Sequence, residues 1–224
     1  MHRKYRQARR APASFLCAAG RKVRCLSRPS VARSGRNARP ARHSPGARVV
    51  ELGCGTGSSL DLLGQRVQQI AHIDLVDLCP ALLAVARQRA TAFPQASVIE
   101  ADASSWRPRQ AVDRVFVSYA LTMIPDWRKV IANACAMLAP GGRLGVVDFH
   151  LPEDGSRLGN LFWQQWFGHD GVRLSADHLA LLRQTFPHHR DAEQRARVPY
   201  LPGLHAPYYW FVGQHGDLPL AAGR

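Results

Sequence analysis

From residue 46 onward, short apolar runs rich in Val, Ile and Leu alternate with longer segments whose apolar residues recur at helical spacing. Strands are predicted over residues 48–52, 70–76, 97–100, 114–119 and 143–147, and helices over 58–69, 80–91 and 127–138. In the second helix Leu82, Leu83, Val85 and Ala86 make the apolar stripe, and Arg87, Gln88 and Arg89 face water. Pro80 suits the first turn of that helix, where its missing N–H costs nothing. Pro140-Gly141-Gly142 is expected to end the third helix and turn the chain into its next strand. Strands and helices in strict alternation imply a mostly parallel sheet with helices on both faces.

Residues 151–224 are less regular. Phe162, Trp163, Trp166 and Phe167 crowd into residues 158–167, and residues 174–186 are predicted to form a helix. Strands are predicted over residues 196–200 and 207–213, joined by Leu201-Pro202-Gly203. As an antiparallel hairpin they would close the sheet, giving a Rossmann-like α/β fold. The chain shows no internal repeat.

Residues 1–45 carry no helical or alternating pattern and too little apolar surface to offset the cost of ordering, about 1–2 kcal/mol per residue. The charge is segregated as sharply. Of 30 Lys+Arg, 14 precede residue 50, where no Asp or Glu occurs, and the other 16 balance 16 acidic residues. The net charge of +14 is thus a property of the tail and not of the body, which weakens any nucleic-acid reading built on it. The organisation read from this is a basic disordered tail over 1–45, a folded domain over 46–215 and a short terminal tail over 216–224. Three readings of the basic tail stand side by side: a targeting peptide, a basic arm for nucleic acid or anionic lipid, and a reading frame whose true start lies elsewhere. No run approaches the roughly 18–20 apolar residues that span a bilayer. The five cysteines are odd in number and form no CxxC pair, and the histidines show no ligand spacing, so neither a disulfide framework nor a metal site is expected.

The strongest chemical signal is Glu51-Leu52-Gly53-Cys54-Gly55-Thr56-Gly57, between a predicted strand and a predicted helix. Glycines let the backbone turn tightly and let a ligand approach it. Asp77 follows at the end of the next strand, where a carboxylate can accept both hydroxyls of a ribose, with Leu78 beside it. The spacing G-x-G-x-G places the third glycine one residue earlier than a dinucleotide fingerprint wants. Glu51 suits the ammonium of an amino-acid tail, which favours S-adenosylmethionine over a nicotinamide dinucleotide. Asp102 ends the third strand and could accept from an adenine amino group while the Ala103 N–H donates to the ring; the alternative is that Asp102 caps its own turn.

These residues, with the Glu100-Ala101-Asp102 step and the Pro140-Gly141-Gly142 turn, resemble the class I S-adenosylmethionine-dependent methyltransferases. More narrowly, Tyr119–Trp127, Gly145–Phe149, Trp166–Val172 and Val198–Pro202 are similar to segments of the bacterial betaine-lipid methyltransferases. The resemblance covers about residues 46–215. It implies S-adenosyl-L-methionine as cofactor, a diacylglycerylhomoserine amine as acceptor, and a cytoplasmic enzyme in peripheral contact with a membrane surface. It also implies helical, aromatic-containing structure ahead of the first strand, and residues 1–45 show no such pattern. Cofactor contacts are expected from Glu51, Gly53, Cys54, Gly55, Thr56 and Gly57, then from Asp77, Leu78, Asp102 and Ala103, and from Ser118 at the end of the fourth strand.

For the acceptor, Tyr119 and Asp148 are expected to orient the amine and His150 to serve as a possible base; ordinary strand-end hydrogen bonding is the competing reading of Tyr119 and Asp148. Trp163, Trp166, Tyr208, Tyr209 and Trp210 either surround a quaternary ammonium or simply pack a helix on the sheet. Two other functions compete with lipid N-methylation. One is methylation of a small-molecule O, C or N acceptor. The other is a non-catalytic cofactor binder with a nucleic-acid arm; base methylation on nucleic acid is disfavoured by the neutral body and by Ser118-Tyr119-Ala120-Leu121, which lacks the motif of that reaction.

Overall fold

A computed structural model describes residues 46–151, 161, 163, 165, 173–197 and 205–216. The 1–45 tail, residues 217–224, Trp166, His169 and the Leu201-Pro202-Gly203 connection lie outside the described residues. Seven strands form one sheet: β1 (Ala47–Leu52), β2 (Ile70–Asp77), β3 (Ala96–Glu100), β4 (Val112–Ser118), β5 (Leu138–Phe149), β6 (His189–Arg197) and β7 (His205–Gln214). Between them lie α1 (Ser58–Leu63), α2 (Pro80–Ala90), α3 (Trp127–Met137) and α4 (Asp177–Thr185).

The strand order is β3-β2-β1-β4-β5-β7-β6. All pairings among β1 to β5 are parallel, whereas β7 runs antiparallel to both β5 and β6. This is the expected Rossmann-like sheet with an antiparallel C-terminal hairpin. The chain leaves β1 in one direction for β2 and β3, then returns to place β4 on its other side. At such a reversal the loops after β1 and β4 diverge and open a crevice at the carboxyl edge.

Alternation along each strand sorts the core into layers. Val50, Leu52, Val115, Val117, Leu144 and Val146 point toward α3 and α4, where Val130, Ile131, Ala134, Leu179 and Leu182 meet them. On the opposite face Val49, Ile73 and Leu75 pack under Leu60 of α1 and Leu83 of α2. A third cluster joins Phe149, Tyr208, Ala206, Ala196 and Trp163 at the β5–β7–β6 end.

Several boundaries differ from expectation for identifiable reasons. The predicted 58–69 helix is α-helical only to Leu63 and continues as a 3-10 segment, Gly64–Gln69. Pro140-Gly141-Gly142 does not separate helix from strand. It lies inside β5 as a bulge, where the register jumps from Val112↔Leu138 to Arg114↔Arg143 and Gly141 adopts φ 76. In α2 Leu83 and Ala86 are buried but Val85 is 37 % exposed, and Arg89 turns inward rather than to water. The strand expected at 196–200 begins at His189 instead. As an edge strand, His-Arg-Asp-Ala-Glu-Gln-Arg-Ala-Arg needs no apolar alternation, and its charges discourage pairing with another chain. His189 opens this strand. It stacks on Phe211 with ring centroids 5.4 Å apart, and its Nδ1 meets the Phe186 carbonyl at 2.6 Å.

Candidate functional site: the carboxyl edge of the sheet

The turn after β1 is held by backbone contacts to β2. Gly53 and Cys54 N–H both donate to the Val76 carbonyl, at 2.8 and 3.0 Å, and Gly57 N–H closes the turn onto the Cys54 carbonyl at 2.9 Å. Gly53, Gly55 and Gly57 all adopt positive φ, at 72, 54 and 64. At Gly53 the requirement is also steric, because a Cβ there would sit 2.4 Å from Ala120 Cβ. That contact brings the turn against the segment following β4. Arg89 of α2 secures the outer side, donating to the Thr56 carbonyl at 2.5 Å while pairing with Asp61 at 3.0 Å. Glu51 is buried and accepts from the Ser59 hydroxyl.

Asp77 is aimed by the same turn. Its Oδ2 accepts Gly55 N–H at 2.7 Å and its Oδ1 accepts Cys79 N–H at 2.9 Å. Each oxygen keeps a second lone pair, so both remain able to accept a ribose hydroxyl. Next to it Leu78 is 57 % exposed, an apolar surface at the crevice that a flat base would cover. Ala101 N–H donates to the Asp77 carbonyl at 3.0 Å, which joins the ends of β2 and β3. Asp102 Oδ1 accepts Ser104 N–H at 2.8 Å, and its carbonyl accepts Ser105 and Trp106 N–H, so Asp102 has the turn-capping role. Asn133 of α3 fixes this loop by donating to the carbonyls of Ala103 and Trp106 at 2.9 and 2.8 Å. An adenosyl ligand fits these groups: a glycine turn without side-chain obstruction, a pre-aimed carboxylate and an uncovered apolar side chain.

The three residues expected to serve the acceptor converge after β4 and β5 but differ in kind. Tyr119 has φ 52, the one non-glycine residue with positive φ among the described residues, and its N–H donates to the Val147 carbonyl at 2.8 Å. Such a backbone costs about 1–3 kcal/mol and survives where surrounding structure fixes it. Its ring lies 4.8 Å from that of Phe149, and its buried hydroxyl has no hydrogen-bond partner among the described residues. Burial first, then Asp148 and Tyr208, pushes the phenol far above its ordinary range, so it stays neutral.

Asp148 is fully buried and makes no ion pair among the described residues. Its Oδ1 accepts the Thr122 hydroxyl and Phe149 N–H, both at 2.8 Å, and its Oδ2 accepts Thr122 N–H at 3.2 Å. Burial pushes its carboxyl up to about 6 against the opposing pull of the hydrogen bonds from Thr122, Phe149 and Leu121. Strand-end hydrogen bonding therefore accounts for its geometry, and its charge is the property left for function. His150 is also buried. Its Nε2 lies 3.5 Å from Glu193 Oε2, and its ring meets Tyr209 edge-on at 5.6 Å.

The aromatic set divides. Tyr208 pairs with Phe149 and Gln194, and Tyr209 with Asp148 and Glu193, so these neighbours point to opposite faces of the sheet. Five aromatics around one cation are thereby excluded. Tyr208 and Trp163 share a cluster with Tyr119, whereas Tyr209 faces Asp148 and α4. Among the described residues no group of His, Cys, Asp or Glu could hold a metal ion.

Thr122, Ser59, Arg89, Asn133 and Glu193 escaped the sequence reading. Only Asn133 left a signal, a polar residue in the apolar stripe of α3.

Residues 49–142 match a family model described as a methyltransferase domain. Trans-aconitate 2-methyltransferase of Escherichia coli O1:K1 is 37 % identical over 106 residues, covering 47 % of this chain and 39 % of that protein. The chain thus spans about two fifths of the length of the curated relatives it matches. Among solved structures, YcgJ of Bacillus subtilis aligns with a TM-score of 0.69 at 16 % identity, over 82 % of this chain and 97 % of that one. The N-methyltransferase NodS of Bradyrhizobium japonicum, solved with S-adenosyl-L-homocysteine, aligns with a TM-score of 0.57 at 15 % identity, over 89 % and 86 %. Sheet order, glycine turn and pre-aimed Asp77 agree with the match to a methyltransferase domain over residues 49–142 and with the fold of these solved structures.

Proposed function

We propose that the chain is an S-adenosylmethionine-dependent N-methyltransferase acting on the amine of a lipid-linked homoserine head group at a membrane surface. The observation that carries the amine is Asp148, a buried carboxylate at the carboxyl end of β5 with no cation paired to it among the described residues. An isolated buried charge is costly, and a site retains one where a positive charge is to be received.

Gly53 to Gly57, Asp77 and Leu78 would hold the cofactor, with Glu51, Asp102, Ala103 and Ser118 around them; when bound it supplies an electrophilic methyl group on a sulfonium. The chain's own work is to position the acceptor. Positive charge grows on a nitrogen as it accepts a methyl group, and Asp148 lowers the energy of that change if it lies nearer the nitrogen than the sulfur. The neutral Tyr119 hydroxyl can accept an N–H from the amine, and the Tyr119 ring suits the methylated ammonium. His150 with Glu193 offers a place for the proton shed before attack. The same field disfavours a polycarboxylate. That separates this reading from carboxylate methylation, which the curated relatives' name suggests. The lipid rests on the sequence resemblance over Tyr119–Trp127 and Gly145–Phe149. No helix among the described residues is long and apolar enough to cross a membrane, consistent with collection of the lipid from a surface.

The test is transfer of a labelled methyl group by the full chain to diacylglycerylhomoserine vesicles, to free homoserine and to trans-aconitate. Label in the lipid is the expected result. Label in trans-aconitate alone would overturn the amine, and label in free homoserine alone would overturn the lipid.

A further inference from the structure

Thr122 lies in the single 3-10 turn Leu121–Met123 that follows β4, and it is buried. It occupies both oxygens of Asp148: the hydroxyl donates to Oδ1 at 2.8 Å and the N–H to Oδ2 at 3.2 Å. Its carbonyl is also engaged, accepting Arg173 N–H at 2.8 Å from the segment that leads into α4. One residue thereby ties together the turn after β4, the end of β5 and the approach to α4. Tyr119, three residues upstream, holds its strained backbone through the Val147 carbonyl next to Asp148.

We propose that Thr122 is a positioning residue for the transfer step, fixing the Asp148 carboxylate and with it the place of the negative charge beside the acceptor nitrogen. The geometry favours an anion here because every contact to Asp148 comes from a donor, and a protonated carboxyl would waste one of them. The groups facing Asp148 from packed elements are Tyr119 at the end of β4 and Tyr209 on β7, both held neutral by burial. His150 follows two residues later, just past the end of β5, edge-on to Tyr209. No cation among these competes with the two Thr122 hydrogen bonds for Asp148.

The kinetic consequence rests on the amine-acceptor reading, but the electrostatic one does not. The full chain is compared with Thr122→Val, which keeps the shape and loses the hydroxyl, and with Thr122→Ser, which restores it. The Asp148 carboxyl is followed by carbon NMR as pH is varied. Thr122→Val should raise its midpoint by about one unit, as loss of a hydrogen bond to a charged group implies, and Thr122→Ser should return it. The pH at which methyl transfer to the amine falls by half should move with that midpoint, and kcat at pH 7 should drop several-fold with little change in KM for the cofactor. An unchanged Asp148 midpoint in Thr122→Val overturns the inference, as does failure of Thr122→Ser to restore it. Should Thr122→Val fold poorly, Thr122→Ser against Thr122→Ala gives the same decision. If no amine accepts the methyl group, the NMR midpoint still decides the role of Thr122 while the acceptor reading falls.

Discussion

Gly53 of the glycine turn and Ala120 after β4 approach so closely that a Cβ on Gly53 would lie 2.4 Å from Ala120 Cβ. Positive φ at Gly53 adds backbone strain to this overlap. Gly53→Ala is therefore expected to cost about 2–4 kcal/mol in urea unfolding and to abolish S-adenosylhomocysteine binding. Pairing it with Ala120→Gly should recover part of the stability by removing the opposing methyl group. Equal stability of the single and double variants would show that the contact does not set the turn.

Asp77 is held by two backbone N–H groups before any ligand arrives. An asparagine can satisfy only one of them with its oxygen and presents donors to the ribose hydroxyls. Asp77→Asn should weaken S-adenosylhomocysteine by about ten- to a hundred-fold in calorimetry, corresponding to roughly 1.4–2.8 kcal/mol. Wild-type affinity in this variant would remove Asp77 from the site.

Arg89 was read from its helix position as facing water, yet it bridges the Thr56 carbonyl and Asp61. Its side chain is 25 % exposed and that of Asp61 49 %, so the ion pair itself contributes little. The contact that matters is to the carbonyl within the glycine turn. Arg89→Met, which keeps the apolar stem, should cost about 1 kcal/mol of stability and loosen cofactor binding several-fold. Asp61→Asn should do much less, and comparable losses in the two variants would assign the effect to the ion pair.

What was legible follows from the range of the interactions. The glycine turn, Asp77 and the strand alternation are set within a few residues or by the period of two, so the sheet and the turn at its carboxyl edge could be read directly. The partner of Asp148 lies 26 residues away at Thr122, and no local pattern marks a threonine that will be buried beside a carboxylate. β6 was hidden because an edge strand does not have to alternate. The supposed aromatic cage failed on the same alternation that identified the strands: adjacent Tyr208 and Tyr209 must face opposite ways. Arg89 was misplaced because a helix stripe records where apolar residues go, not what a long polar side chain can reach.

The Tyr119 hydroxyl is buried with no partner among the described residues, which is a cost to the folded state. Tyr119→Phe removes that group while keeping the ring against Phe149. Its expected signature is a split: stability equal to or about 1 kcal/mol above wild type, with kcat/KM for the amine acceptor down by tenfold or more. A purely structural tyrosine would leave turnover unchanged.

Asp148 supplies the clearest pH dependence. Its folded carboxyl is raised from 3.8 to about 6, so the folded chain holds the proton more tightly than the unfolded chain does. The stability contributed by this group is fully present below pH 3.8, falls as pH rises from there to about 6, and stays low above it; the loss is on the order of 3 kcal/mol at most. Methyl transfer should run the opposite way, rising through pH 6 as the carboxylate forms. Asp148→Asn should remove both limbs. Unfolding curves between pH 4 and 8 would lose this group's contribution, and turnover would be low throughout with no step near pH 6. Its amide meets the Thr122 N–H with a donor in one orientation and the Phe149 N–H with a donor in the other, so some native stability at low pH should be lost as well. An Asp148→Asn chain whose turnover still steps at pH 6 would place the titrating group elsewhere.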